Sequence, residues 1–216
     1  GNPTGSYKDR MAISLLKRAL DRGDVVPGDT VVEFTGGSTG TALAFVSGVL
    51  GLKFTAVFSD AFSQSKQQAM EAFGATVLVE KCVDGKITHE LAERMKQRAL
   101  MLADQPSHYY ADQFGSPDVR LGYLPMGDEI ATALDGDIDV LCASVGTGAS
   151  LMGALDGLLV KGGNPMVIAL EPDQSPLLTT GMSGGHQVEG IAVFPEPPFL
   201  DRSVLNDVRT VDQYKG

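Results

Sequence analysis

Short apolar strands, each followed by a glycine-rich turn and an apolar helix, occur twice in this chain and constrain its fold most. In the first set, a buried strand is predicted at Thr30–Phe34, a turn at 35–40, and a helix that ends at Gly51. In the second set, the strand is predicted at 138–143 and the turn at 145–150. Strands that alternate with helices form parallel sheets through right-handed crossovers. The sequence therefore predicts an α/β fold with parallel sheets.

A loop at 115–117 separates the two sets and marks a domain boundary. We expect a smaller α/β domain at 1–116 and part of a larger α/β domain at 117–216, each with a parallel sheet and three layers. With 216 residues, of which 43% are hydrophobic, the chain can bury a core in each domain. After Pro172 the composition turns to glycine, proline and serine, which predicts loops rather than further strands.

The composition excludes several classes of function. A net charge of −10 gives no electrostatic support for binding nucleic acid. Cys82 and Cys142 lie far apart and the histidines lack ligand spacing, so we expect neither a disulfide framework nor a metal site, and we expect a cytoplasmic location. No apolar run has the length that crosses a bilayer, so no membrane contact is expected. The chain does not begin with methionine, and we expect further sequence at both ends.

Lys8 stands at the predicted start of an amphipathic helix whose apolar face includes Met11 and Leu15. Ser6 and Asp9 resemble a capping box at this start. The helix dipole disfavours a cation at the N-terminus. Because a lysine must lose its proton before it attacks a carbonyl, this position favours a reactive amine. The alternative is an ordinary solvated lysine in the first turn of a helix.

The first glycine turn, residues 35–40, is expected to bind an anion, because main-chain N–H groups gather at the start of the helix that follows. The same turn satisfies the Gly-x-Ser-x-Gly pattern of the α/β-hydrolase nucleophile elbow, with Ser38 as the nucleophile. Asp173 and His186 could then complete a catalytic triad. Against this alternative, a single predicted strand precedes the turn, no His-Gly-Gly motif occurs, and Lys8 is left unexplained.

The second glycine turn, residues 146–150, is expected to bind a second anion for the same reason. It nearly fits the dinucleotide fingerprint Gly-x-Gly-x-x-Gly, but Leu151 stands at the third glycine. Glu171, at the end of the next predicted strand, stands where an acid would bind a ribose. A dinucleotide site is therefore an alternative to a simple phosphate site.

Residues 2–10, Asn-Pro-Thr-Gly-Ser-Tyr-Lys-Asp-Arg, resemble the Schiff-base lysine segment of fold-type II pyridoxal-phosphate enzymes. The two glycine turns follow in the order found in the cysteine synthase and cystathionine β-synthase family, and the resemblance covers nearly the whole chain. It implies a tryptophan synthase β-like fold, in which two α/β domains hold pyridoxal 5'-phosphate in the cleft between them. It also implies a homodimer and a small-molecule amino-acid substrate.

The resemblance further implies a set of site residues. Lys8 would carry the cofactor and move the Cα proton. The other cofactor contacts would be Ser38, Gly146, Thr147, Gly148, Ala149, Ser150 and Gly190. The carboxylate of the substrate would bind Thr35, Gly36, Gly37, Thr39 and Gln113.

This chain departs from the family pattern in three respects. Ser38 stands where asparagine is usual, and Ala149 stands where glycine is usual. The segment 188–191 resembles the lining of the other face of the cofactor, but the family's serine or threonine that hydrogen-bonds the pyridine nitrogen has no match here. The Ser38 exchange bears on the contact with the cofactor ring and on the substrate range.

The activity implied by the resemblance is β-elimination or β-replacement on an amino acid such as O-acetylserine or serine, as in cysteine biosynthesis. A threonine synthase or a serine/threonine dehydratase is an alternative, and the residues of the Lys8 segment favour this alternative. Another alternative is a non-catalytic relative that binds the cofactor or a partner. The sequence leaves the leaving group, the nucleophile and the assembly state open.

Overall fold

The computed structural model describes residues 1–85, 87–188, 190–191 and 196–214. The chain forms two compact units, Gly1–Val119 and Arg120–Gly216. All strand pairs described in the two units are parallel, which confirms the predicted α/β class. None of the described helices is long and apolar enough to cross a membrane.

The first unit contains a four-stranded parallel sheet in the order β3-β2-β1-β4. Its strands are β1 (Thr30–Phe34), β2 (Lys53–Ser59), β3 (Thr76–Glu80) and β4 (His108–Tyr110). Its helices are α1 (Lys8–Arg22), α2 (Ser38–Val49), α3 (Gln64–Ala72) and α4 (His89–Ala103), and α5 (Asp118–Leu121) lies where the two units divide. Because β1 pairs with both β2 and β4, Val31 lies opposite Phe54 on one side and Tyr109 on the other.

The predicted elements of the first unit are confirmed to within a few residues. α1 buries the apolar face that contains Met11 and Leu15, and it ends at Gly23, whose φ of 76° is a left-handed conformation that glycine adopts without strain. The first glycine turn is shorter than predicted, because α2 already begins at Ser38. Residues 38–40 of the predicted turn therefore belong to the first turn of α2.

The second unit contains a three-stranded parallel sheet in the order β5-β6-β7. Its strands are β5 (Val140–Ser144), β6 (Met166–Pro172) and β7 (Asp207–Val211). Its helices are α6 (Leu124–Ala133), α7 (Ala149–Val160) and α8 (Leu177–Thr180), with a 3-10 turn at Arg202–Val204. Its core consists of α7 side chains such as Leu151 and Leu155 packed against Val167 and Ala169 of β6.

The prediction of loops alone after Pro172 is wrong. β7 pairs with β6 so that Val208 lies opposite Ala169. β7 has the sequence Asp-Val-Arg-Thr-Val and its last three residues are exposed. A strand with two apolar residues at the edge of a sheet has no clear apolar alternation, so its sequence differs little from that of a loop.

Two glycines allow α6 and α7 to pack with their main chains in contact. A Cβ atom built on Gly127 of α6 would overlap the carbonyl oxygen of Ala154, and one built on Gly157 of α7 would overlap that of Leu124. Neither glycine has a positive φ, so the constraint is space rather than backbone conformation. A methyl group at either position must push the two helices apart.

Gly157→Ala is expected to lower the free energy of unfolding by about 1–3 kcal/mol, because the added methyl group overpacks the α6–α7 contact. Gly48→Ala is the matched control, since Gly48 is an exposed residue of α2. A Cβ atom added there would lie 3.9 Å from its nearest neighbour, the carbonyl oxygen of Phe73. Alanine favours a helix, so this control should leave stability unchanged or raise it by up to about 1 kcal/mol. Urea unfolding followed by circular dichroism measures both; equal effects would contradict the packing described here.

Candidate functional site

The segment that leads into Lys8 is held by a buried carboxylate. Thr4 donates to Asp9 through its main-chain N–H at 2.9 Å and through its hydroxyl at 2.6 Å, and Asp9 is 6% exposed. Ser6 accepts a bond from the N–H of Lys8 through Oγ. The predicted capping box between Ser6 and Asp9 is therefore wrong, because Asp9 reaches back to Thr4, and Tyr7, not Ser6, precedes the helix.

Lys8 is the first residue of α1 and is partly buried. Its Nζ lies 4.8 Å from the centroid of the Tyr7 ring. An ammonium over the face of an aromatic ring is attracted to it, which offsets part of the unfavourable interaction with the helix N-terminus. The side chain is thus placed on a fixed element, at the end of a turn whose backbone is locked by Asp9.

The hydroxyl of Thr35 holds the first glycine turn together. Thr35 Oγ1 accepts the N–H of Gly37 at 3.0 Å and that of Gly40 at 3.1 Å. Gly37 has a φ of 139°, which an L side chain rarely adopts. The N–H groups of Ser38 and Thr39 lie in the first turn of α2, where amides have no carbonyl partner inside the helix. Such a turn suits a carboxylate or phosphate.

Two residues that the sequence did not indicate cover this turn. A Cβ atom on Gly36 would lie 2.8 Å from Cε1 of Phe62, and one on Gly37 would overlap the side chain of Lys66. Phe62 follows β2, and Lys66 is on α3. The pattern of the sequence could not reveal this contact, because it depends on the pairing of β2 beside β1.

Gln113 is 8% exposed and its main-chain N–H and both side-chain polar atoms make hydrogen bonds, so it is not an exposed loop amide. Thr39 Oγ1 donates to Gln113 Oε1 at 2.8 Å, and Gln113 Nε2 donates to the carbonyl oxygen of Phe34 at 2.9 Å. The N–H of Gln113 donates to Glu33 Oε2 at 2.9 Å. The structure therefore brings together Thr39 and Gln113, two of the predicted carboxylate contacts.

Glu33 is a site residue that sequence reasoning missed. It is 0% exposed within β1, and its Oε1 accepts the N–H of Phe34 at 2.9 Å. Burial raises the pKa of Glu33 to about 8; the bond from the N–H of Gln113 opposes this, and the charge of Asp112 adds to it. The one signal in the sequence is an acidic residue inside an otherwise apolar strand.

The second glycine turn packs against two later segments of the second unit. A Cβ atom on Gly146 would lie 2.6 Å from the carbonyl oxygen of Gly190, and one on Gly148 would lie 2.8 Å from the N–H nitrogen of Leu200. Gly148 has a φ of 85° and precedes α7. The structure thus places Gly190 beside Gly146, whereas Glu189 of the same predicted segment lies outside the described residues.

Hydrogen bonds fix the shape of this second turn. Thr147 Oγ1 accepts the N–H of Ala149 at 3.3 Å, and the carbonyl oxygen of Thr147 accepts the N–H of Phe199 at 3.0 Å. Ala149 and Ser150 are the first residues of α7. Ala149 therefore has a right-handed helical backbone, which alanine adopts without strain, and its exchange for the usual glycine is structurally mild.

The geometry disfavours both alternatives drawn from the motifs. Glu171 is 3% exposed and accepts the N–H groups of Leu178 at 2.6 Å and Thr179 at 2.9 Å, together with the Thr179 hydroxyl. Its carboxylate therefore caps α8 instead of facing a ribose. Ser38 lies within α2 and has a helical backbone, whereas a nucleophile elbow needs a strained turn at this residue.

In the part of the chain that the structure describes, no group of three or more His, Cys, Asp or Glu residues could hold a metal ion. Of the predicted site residues, the first unit carries Lys8, Thr35, Gly36, Gly37, Ser38, Thr39 and Gln113, and the second carries Gly146, Thr147, Gly148, Ala149, Ser150 and Gly190.

Comparisons with known proteins match nearly the whole chain. A sequence model of the family described as pyridoxal-phosphate dependent enzyme matches residues 1–213. A cysteine synthase of Staphylococcus aureus strain Mu50 is 31% identical over 212 residues, which cover 96% of this chain and 66% of that protein. A cysteine synthase of a Flavobacterium species is 33% identical over 216 residues, with 97% and 67% covered.

A solved structure of an O-ureido-L-serine synthase superposes with a TM-score of 0.89 at 32% identity, covering 99% of this chain and 66% of that one. The chain thus spans about two thirds of the length of the proteins that it matches.

The buried Glu33 makes stability depend on pH in a defined direction. Its pKa is raised from 4.5 to about 8 in the folded chain. Between these values the folded state keeps a proton that the unfolded state has lost, so the free energy of unfolding falls as the pH rises, by about 1.4 kcal/mol per pH unit from this group. The stability difference between the wild type and Glu33→Gln, measured by urea unfolding from pH 5 to 8, should fall with that slope. The contributions of the other titratable groups are the same in both proteins and cancel in the difference. A stability difference that does not change with pH would contradict the raised pKa of Glu33.

Proposed function

The chain belongs to the family of pyridoxal-phosphate dependent enzymes, and from that premise we propose that it catalyses β-elimination and β-replacement on an amino acid such as O-acetylserine or serine. The observation that carries the proposal is the position of Lys8, an amine at the start of α1 behind a turn that Asp9 holds in place. The match to cysteine synthases over 96% of the chain supports the reaction class.

The residues present fit pyridoxal phosphate. Lys8 offers the amine that the cofactor requires. The second glycine turn has no room for a side chain at Gly146, and α7 begins there with its first-turn amides, which suit a phosphate. When bound, pyridoxal phosphate withdraws electrons from the Cα of an attached amino acid and so makes the Cα proton acidic.

We assign the following roles within the proposal. Lys8 Nζ would hold the cofactor, and the Lys8 amine would take the Cα proton of the substrate. Thr39 and Gln113 bind the substrate carboxylate beside the N–H groups of the first turn of α2, and the Thr35 hydroxyl keeps that turn in shape. Gly36 and Gly37 lack side chains where Phe62 and Lys66 pack against the turn, and we assign these two glycines to the main-chain part of the carboxylate site.

Ser38 stands at the position from which the family contacts the cofactor ring, and its hydroxyl can make that hydrogen bond over a shorter reach than asparagine. Gly190, whose carbonyl oxygen lies beside Gly146, would allow close approach of the chain to the other face of the cofactor. We also propose a homodimer in the cytoplasm; the resemblance to the cysteine synthase family supports both statements.

Borohydride reduction of the cofactor-loaded protein should attach the pyridoxyl group to Lys8, because reduction makes the amine–cofactor bond permanent. Mass spectrometry of the digested protein locates the adduct. Lys8→Ala should abolish it, whereas Lys17→Ala, at an exposed lysine of the same helix, should leave it unchanged. Recovery of the adduct on another lysine of the wild type would contradict the role of Lys8.

Turnover of O-acetyl-L-serine, L-serine and L-threonine, measured side by side with and without sulfide, tests the reaction class. We expect turnover of O-acetyl-L-serine, formation of cysteine when sulfide is present, and a loss of about 10²–10⁴-fold in Lys8→Ala. Preference for threonine would indicate a dehydratase or threonine synthase instead. Bound cofactor with no turnover of any of the three amino acids would indicate a non-catalytic relative.

A further inference from the structure

We propose that Glu33 is a positioning residue: from inside the sheet it fixes Gln113 as the receptor for the substrate carboxylate. This inference rests on the proposed function, since it deepens the role of one of its binding residues. Glu33 does not touch the substrate itself. It acts through Gln113.

Glu33 joins two segments that are far apart in the sequence. Its Oε2 accepts the N–H of Gln113 and its Oε1 accepts the N–H of Phe34, each at 2.9 Å. Gln113 Nε2 in turn donates to the carbonyl oxygen of Phe34 at 2.9 Å. The three residues therefore form a closed cycle of hydrogen bonds, and Glu33 is the member that binds both main chains.

This cycle determines which way the Gln113 amide faces. The carbonyl oxygen of Phe34 can only accept, so the NH₂ group of Gln113 must face it and Oε1 must face the Thr39 hydroxyl, which donates at 2.8 Å. An amide nitrogen carries two protons, and one of them goes to Phe34. We assign the other to the substrate carboxylate.

The backbone before Gln113 needs an external restraint. Asp112 has a φ of 55°, a left-handed conformation that is uncommon for a residue with a side chain. Ala111 still bonds to β1 through its N–H, which donates to the carbonyl oxygen of Val32. Beyond it, the bond from Gln113 to Glu33 and the stacking of Phe114 on Phe34, with centroids 5.3 Å apart, hold the segment against β1.

The hydrogen-bonding capacity of a carboxyl group explains why glutamate suits position 33 better than an apolar residue or glutamine. Both oxygens of the carboxyl group accept a hydrogen bond here, and in the protonated form the hydroxyl oxygen still has a lone pair that can accept. Glutamine offers one acceptor and would turn its NH₂ group toward another N–H donor. The surroundings make a charge costly. The titratable groups that interact with this cluster are Asp112, Tyr110 and Glu93. Burial raises the pKa of the Tyr110 phenol, and the charges of Glu33, Asp112 and Glu93 raise it further. The Tyr110 hydroxyl is buried and has no hydrogen-bond partner among the described residues.

The test compares two ligands that differ by the carboxylate alone. L-serine and ethanolamine are titrated into the cofactor-loaded protein, and the absorption of the bound cofactor reports binding. In Glu33→Gln, half-saturation by L-serine should require about tenfold more ligand, whereas the value for ethanolamine should stay within about twofold. Glu71→Gln, at an exposed residue of α3, is the matched control and should match the wild type for both ligands.

Each other outcome overturns the inference. If Glu33→Gln weakens both ligands equally, or weakens neither, Glu33 does not position the carboxylate receptor. If the wild type itself shows no cofactor absorption that responds to L-serine, the proposed function fails and the inference fails with it. The response of the wild type thus distinguishes the two failures.

A second measurement needs no cofactor. Hydrogen exchange of the peptide that contains residues 111–115 should be faster in Glu33→Gln than in Glu71→Gln, by about tenfold at the Gln113 amide. Unchanged exchange would contradict the bond on which the inference depends. If Glu33→Gln does not fold, Glu33→Asp replaces it, because aspartate keeps the carboxyl group but withdraws it from Gln113. Glu33→Asp must then bind L-serine more weakly than the wild type does and bind ethanolamine equally well.

Discussion

Parallel pairing of β1 with both β2 and β4 is the constraint on which the first unit depends. Parallel strands end at the same edge of a sheet, so the residues that follow these three strands meet there. Thr35 follows β1, Phe62 follows β2 and Gln113 follows β4, and all three contact the first glycine turn or the start of α2. The contacts of Phe62 and Gln113 join residues that are far apart in the sequence. The topology assembles them.

Buried carboxyl groups stabilise the irregular segments that carry the site residues. Asp9 accepts the N–H of Thr4, Glu33 accepts that of Gln113, and Glu171 accepts that of Leu178. Main-chain N–H groups in turns have no strand or helix partner, so burial requires a side-chain acceptor. A carboxyl group can accept two or more hydrogen bonds at once, as Asp9, Glu33 and Glu171 do here.

The fold and the two glycine turns could be predicted from the sequence because their signals are local. Thr30–Phe34, for example, is an apolar run between turn residues, and it forms β1. Glu33 and the cover of the first turn by Phe62 could not be predicted, because each depends on a partner from another strand or helix. β7 was missed for a different reason: an exposed edge strand has no apolar alternation strong enough to distinguish it from a loop.

The first glycine turn shows why a short motif does not determine chemistry. Its sequence fits the pattern of a hydrolase nucleophile elbow and also that of an anion-binding turn. Each of these two structures follows a strand and precedes a helix. The backbone separates them: the positive φ lies at Gly37, one residue before Ser38, and Ser38 is already helical. A serine in the first turn of a helix contributes its N–H and a hydroxyl to an anion, but it lacks the strained presentation that makes a serine a nucleophile. The Thr35 hydroxyl, which holds the N–H groups of Gly37 and Gly40, keeps the turn in this conformation, so a residue outside the Gly-x-Ser-x-Gly letters decides between the two chemistries.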